Sequence, residues 1–245
     1  MTSNQLENEN ATWKVMSIPG LTATQYDDQY YREHVQGGLD YLGHGYWQES
    51  YAQMVSEASL QDTYDNPFIV DAGCACGSIL NGFRKLKLYD GVLGIDLSEY
   101  MVLLGRKHFG YSEAELQIGS ITDIPVPRGS VTLLHSAQVL EHVSNELIDD
   151  ILDEFARVLR QGGRAFICLD AIRHNENKDM YMGDPTHVNI QPVNYWTKKF
   201  QQRGLLFDIE AYNRFVRSSR GPTEGDPLSF FAHYPAWSVW TLIKL

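Results

Sequence analysis

Beyond Pro67 the chain alternates between short apolar runs and stretches whose apolar residues recur at helical spacing. "FIVDAG", "GVLGID", "AELQIG", "SVTLLHSA" and "GRAFICLD" read as strands; "SILNGFRKLKL", "SEYMVLLGRKHF" and "NELIDDILDEFARVLR" between them read as helices. This alternation predicts a parallel sheet covered by helices on both faces. In the third helix Leu147, Ile148, Ile151, Leu152, Phe155, Val158 and Leu159 form one stripe, with Ser144 placed to cap it and Gly162-Gly163 placed to stop it. A polar loop to about Asn189 precedes a helix from Val193 to Gln202, the strand-like "LLFDIEAY", the loop "NRFVRSSRGPTEGDPLSFFAHYPA" and the final run "WSVWTLIKL". Upstream, from Tyr26 to about Leu60, Gly37, Gly38, Gly43 and Gly45 break up short helical patterns. The expected organisation is an N-terminal helical cap over 1–64 and an α/β domain over 65–245.

Length and charge narrow the classes. A chain of 245 residues, 43% hydrophobic, can bury a substantial core. Its 20 Lys plus Arg against 31 Asp plus Glu give a net charge of −11, which disfavours broad attraction to a nucleic-acid backbone. No window approaches the roughly 18 apolar residues of a membrane span, and the start "MTSNQLENEN" is polar, so a soluble, cytoplasmic protein without membrane contact is expected. Three cysteines, Cys74, Cys76 and Cys168, make no disulfide framework and fit a reducing compartment.

Two of those cysteines lie in "IVDAGCACGSIL". The preceding strand delivers Asp71 and Gly73 to the carboxyl edge of the sheet, where open α/β folds bind ligands. Gly73 and Gly77, with only Ala75 and the cysteines between them, keep the turn compact and let a ligand approach the main chain. A metal centre on Cys74 and Cys76 would want further thiolate or imidazole ligands, and a redox pair is usually C-x-x-C; no metal is expected. The dinucleotide pattern G-x-G-x-x-G is also broken, since Ala75 and Ser78 occupy its second and third glycine positions.

"VDAGCACG" resembles the first motif of class I methyltransferases that use S-adenosylmethionine: an acidic residue, any residue, then Gly-x-Gly-x-Gly, here with Ala75 for the central glycine. "GVLGIDLSEYMV" is similar to that family's second strand, "IGSITDIPVPRGSVTLLHSAQVLEHV" to its passage past the adenine and along the fourth strand, and "VLEHVSNELIDDILDEFARVLRQGGRAFICL" to its following helix and turn. The resemblance spans roughly 65–172 and implies a Rossmann-like three-layer sandwich, with a mostly parallel seven-stranded sheet and an antiparallel last strand. It implies S-adenosylmethionine as cofactor, held by Asp71, Gly73, Cys74, Ala75 and Gly77, with Asp96 on the ribose diol and Leu97 and Met101 against the adenine. Ser120 or Asp123 would meet the adenine amino group, and Ile121, Ala137 and Gln138 would complete the site.

For the acceptor, "GDPTHVN" resembles a loop that such enzymes place above the methyl donor, which makes His187 the first choice of base and His142, of the Glu141-His142 pair, the second. A histidine titrates near neutral pH, as removal of a hydroxyl proton requires. Tyr31 and Trp47 of the cap, with Asp184, Arg214 and Phe231 of the later loops, are the expected substrate contacts. The acceptor is expected to be a small molecule, a sugar or secondary metabolite, and a homodimer is compatible with this reading. Protein or RNA methylation is the alternative within the family; a nicotinamide-dependent oxidoreductase or a non-catalytic S-adenosylmethionine-binding protein are the alternatives outside it.

Overall fold

A computed structural model describes Leu42 and residues 45–60, 64–172, 186–218 and 237–245. Helix α1 (Gly45–Ser59) leads into β1 (Phe68–Ala72), α2 (Ser78–Leu86), β2 (Gly91–Asp96), α3 (Glu99–Phe109), β3 (Leu116–Ile118) and β4 (Val131–Ala137). A 3-10 turn (Leu140–His142) then leads to α4 (Ile148–Val158), β5 (Leu159–Ile172), the short β6 (Gln191–Pro192), α5 (Val193–Gln201), β7 (Leu205–Phe207), α6 (Ile209–Ser218) and β8 (Trp237–Lys244). The sheet runs β3-β2-β1-β4-β5-β8-β7, with β6 paired to β5 off this path. Neighbours are parallel from β3 to β5, and β8 is antiparallel to both β5 and β7. The expected sandwich, with its reversed last strand, is therefore the observed one.

Strand alternation sorts the core into two layers. Val70, Ala72, Leu134, Ile167 and Leu169 face α4 and α5, where Ile148, Ile151, Leu152, Phe155, Trp196 and Phe200 are fully buried. Each such side chain contributes roughly 1.5–3 kcal/mol relative to exposure. Ile69, Leu133, Phe166 and Cys168 face the other way, onto Tyr51, Ala52 and Val55 of α1, Phe83 of α2 and Phe215 of α6. Within the stretch expected as a cap, α1 is thus part of a helical layer lying directly on the sheet.

Local expectations differ from the structure at three places. The N-cap of α4 is Leu147 without a side-chain bond, and the Ser144 hydroxyl does not serve it. Gly162-Gly163 does not stop that helix: α4 ends at Val158, and the glycines lie inside β5, where its register with β4 shifts between Val131 and Leu133. "LLFDIEAY" is a strand only to Phe207. Asp208 then accepts the Ala211 N–H at 2.9 Å through Oδ1, and this capping bond starts α6.

Asp208 also receives Arg164 Nε from β5 at 2.9 Å. Burial opposes its ionisation, but the Ala211 N–H and the Arg164 guanidinium outweigh it and hold the carboxyl below its ordinary value. A lowered folded-state pKa contributes stability above the unfolded value of about 4, and that contribution is lost as pH falls through the lower folded value. The stability difference between the parent and Asp208→Asn should therefore be constant near neutrality and shrink below about pH 4, read from urea midpoints across an acid series.

Candidate functional site

In this strand order the connections leave β1 and β4 in opposite directions, which opens a crevice at their carboxyl ends. The loop after β1 forms one wall. Gly73 has φ 77°, Ala75 φ 49° and Gly77 φ 71°, so the loop winds through left-handed conformations. The Gly73 and Cys74 N–H groups donate to Ile95 O at 2.9 and 3.2 Å, and the Ala75 N–H donates to Asp96 Oδ2 at 2.7 Å. The central position that departs from the glycine pattern is thus tied by its backbone to the end of β2.

Asp96 Oδ1 accepts the Ser98 N–H at 2.8 Å, and the Ser98 hydroxyl accepts the Met101 N–H to cap α3. Burial pushes the Asp96 carboxyl above its ordinary range, with the Ser98 and Ala75 amides pulling the other way. Each carboxylate oxygen retains a second lone pair, so two hydroxyls of a diol can still be received. Leu97 is half-buried beside it, whereas Met101 is fully buried beneath the loop with Ala75 and Cys76. At the positions expected to meet adenine, the Ser120 hydroxyl bonds Thr122 Oγ1 at 2.7 Å, Ile121 is buried, and Asp123 is exposed.

The cysteines are inert. Burial raises the Cys74 and Cys168 thiols well above their usual values and pushes Cys76 up to about 12, so none offers a thiolate near neutral pH.

The structure turns Asp71 away from the loop. It pairs with His135 across β1 and β4, and its Oδ1 lies 2.7 Å from His135 Nδ1; His135 Nε2 in turn lies 2.9 Å from the Tyr51 hydroxyl. All three are buried, and a proton on Nδ1 with Tyr51 donating to Nε2 satisfies the chain. Sequence reasoning missed this network. Its one signal was a histidine in the apolar run "VTLLHSA", on the same strand face as Leu133.

The opposite wall follows β4. Ala137 is half-buried, Gln138 has φ 56° and donates its N–H to Cys168 O at 2.8 Å, and Val139 crosses against Gly73. Beyond them Glu141 is fully buried. Its Oε1 accepts the Asp170 N–H at 3.2 Å and its carbonyl accepts the Asn189 N–H at 2.9 Å, pinning the returning chain to the turn. Burial, with the Asp170 charge adding, pushes the Glu141 carboxyl up to about 8. His142 Nδ1 meets Thr186 Oγ1 at 2.8 Å, its ring stands edge-on to His187 with centroids 4.6 Å apart, and His187 Nδ1 lies 3.8 Å from Asp170 Oδ2. Both candidate bases therefore come together at the carboxyl edge beside Glu141, joined by Asp170 and Thr186, which sequence reasoning did not place there.

Arg214 is not brought there. Its guanidinium bonds Ala58 O at 2.8 and 3.2 Å, where α1 leads toward the amino end of β1. The expectation that it meets substrate is corrected: it closes the last turn of α1. Tyr31, Asp184 and Phe231 lie outside the described residues, and Trp47 falls within α1 with its side chain outside them.

Comparison with known proteins agrees with this geometry. A family model described as "Methyltransferase domain" matches residues 70–167. An uncharacterised 37.1 kDa protein in a transposon of Streptomyces fradiae is 36% identical over 97 residues, covering 39% of this chain and 28% of its own. An uncharacterised protein of Rickettsia prowazekii is 27% identical over 161 residues, covering 63% of this chain and 62% of its own. The chain thus spans less than two thirds of either relative. Among solved structures, geranyl diphosphate C-methyltransferase from Streptomyces coelicolor, in complex with Mg2+, geranyl diphosphate and S-adenosylhomocysteine, matches with a TM-score of 0.57 at 16% identity over 86% of this chain and 84% of that one. At that identity the likeness is one of fold. Residues 70–167 thus match a methyltransferase-domain model, and the fold is the one seen in the geranyl diphosphate C-methyltransferase.

Proposed function

We propose that this protein transfers the methyl group of S-adenosylmethionine to an oxygen or nitrogen of a small-molecule acceptor. The observation that supports this reading is a crevice with the Asp96 carboxylate, which can still receive a diol, on one wall and the paired imidazoles of His142 and His187 on the other. Transfer from a sulfonium is an in-line displacement: the acceptor lone pair forms the new bond to carbon as the carbon–sulfur pair returns to sulfur. Most of the acceleration then comes from alignment and exclusion of water. An amine can attack without prior help, whereas a hydroxyl must give up its proton, and His187 and His142 are the groups that would manage it.

A small acceptor is favoured over a polyanion by the charge of −11 and by the arginines: Arg214 bonds Ala58 O, and Arg217 Nε bonds Asn213 O. No described helix is long and apolar enough to cross a membrane.

Thermal unfolding with S-adenosylhomocysteine tests the reading. Ligand at about 100 times its dissociation constant adds about 2.7 kcal/mol, a rise of roughly 5–10 °C for a chain of this size. Absence of a rise, or a rise with NAD in its place, would overturn the proposal. Incubation with labelled S-adenosylmethionine and a panel of hydroxyl and amine acceptors then identifies the product.

A further inference from the structure

We propose that Glu141, His142 and His187 form a binding site for one divalent transition-metal ion at the acceptor side of the crevice. The sequence pointed to no metal, because Cys74 and Cys76 lack the further thiolate or imidazole ligands that a metal centre on them would want. The three donors lie at 141, 142 and 187 and meet only in the folded chain.

One ligand atom from each of the three lies within 4.8 Å of the others. Bonds of about 2.0–2.2 Å to a common ion bring such atoms to roughly 3–3.5 Å, so closure requires movements of order an ångström. An independent observation points to the same ligand. Glu141 is 0% exposed, and its Oε2 has no hydrogen-bond partner among the described residues. A buried carboxylate oxygen left this way is costly, and a cation supplies what it lacks.

The surroundings orient the donors as metal sites do. Thr186 Oγ1 holds His142 Nδ1 at 2.8 Å, which presents Nε2 as the ligating nitrogen, and Asp170 stands 3.8 Å from His187 Nδ1 in a carboxylate–histidine arrangement. The Asp170 N–H fixes the other oxygen of Glu141. Two imidazoles and one carboxylate select zinc, cobalt, iron or manganese over magnesium and calcium, which prefer all-oxygen sets. Three protein ligands also leave open positions on the ion.

The role of the ion rests on the methyltransferase reading. An acceptor hydroxyl bound to it loses its proton to water more readily. The resulting oxygen lone pair attacks the methyl carbon, the carbon–sulfur pair returns to sulfur, and the products are the methyl ether, S-adenosylhomocysteine and the released proton. His142 and His187 then manage the acceptor proton through the ion rather than as free bases.

The test uses the full chain, treated with chelator and titrated with Zn2+ and, separately, Co2+, in the absence of S-adenosylmethionine and acceptor. Calorimetry should give one ion per chain, and Co2+ should develop visible absorption bands of a low-coordinate nitrogen–oxygen site. Glu141→Gln and His187→Ala should each weaken binding at least about 100-fold, Thr186→Val about 10-fold, and His108→Ala, on α3, not at all. The stabilisation by S-adenosylhomocysteine should persist in His187→Ala, which shows that the variant is folded. No binding by the parent, or binding that survives the combined loss of His142 and His187, overturns the site. Stoichiometric binding that these variants abolish, in a protein that ignores S-adenosylhomocysteine, supports the ion site and overturns the methyltransferase reading instead.

Discussion

Gly73→Val should abolish the stabilisation by S-adenosylhomocysteine, whereas Cys74→Ala combined with Cys76→Ala should keep it. A Cβ at residue 73 would stand 2.4 Å from Val139 Cγ2 and 2.8 Å from Cγ1, and the backbone there has φ +77°. Contact overlap costs about 1–3 kcal/mol when a packed region must shift. A β-branched residue in the left-handed region adds strain of similar order. Both are relieved by displacing the loop, and displacement breaks the Ala75 N–H bond to Asp96 and fills the crevice between β1 and β4. Circular dichroism confirms that the variant is folded before the ligand-induced change in melting temperature is read. Gly73→Ala with Val139→Ala removes the contact but keeps the unfavourable φ, so it should recover part of the response. A full response in Gly73→Val would show that the loop does not hold the cofactor. The cysteines contribute backbone and small volume, and their protonated thiols have no charge to lose.

The second large effect is expected at Asp96. Its carboxylate both anchors Ala75 and Ser98 and, in our proposal, receives the ribose diol. Hydrogen bonds to a charged group contribute about 1.5–3 kcal/mol each, so Asp96→Ala should weaken S-adenosylhomocysteine at least about 100-fold and erase the thermal shift at fixed ligand. Asp96→Asn separates the two roles. Its amide oxygen can accept one of the two backbone N–H bonds, while its NH2 group faces a donor where an acceptor is needed. It should retain an intermediate affinity. Unchanged affinity in Asp96→Ala, measured by calorimetry, would remove Asp96 from the cofactor site.

Much of this fold is legible without coordinates because its information is local. β1, β2 and β4 carry short apolar runs and α4 carries apolar residues at helical spacing, and most of those residues are buried. Where the structure differs, a capping bond or a strand irregularity decided. Asp208 turned the expected strand after Leu205 into a helix by capping it, and Gly162-Gly163 served a strand irregularity rather than a helix end. Asp71 shows the same limit at the site. Its position beside the loop was readable, but the two-residue period of β1 sends its carboxylate beneath α1, and only the pairing with β4 reveals His135 as its partner.

Residue order alone determined the alternation of strands and helices, the glycine-bearing loop at the end of β1 and an acidic residue at the end of β2, because period and adjacency are properties of the chain. The tertiary structure decided which side chains face which wall. It sent Arg214 to the end of α1, Asp71 into the core, and Glu141, His142 and His187 to one point across a separation of 46 positions in sequence. Such convergence follows from sheet order and the return of the chain after β5, and no local pattern encodes it.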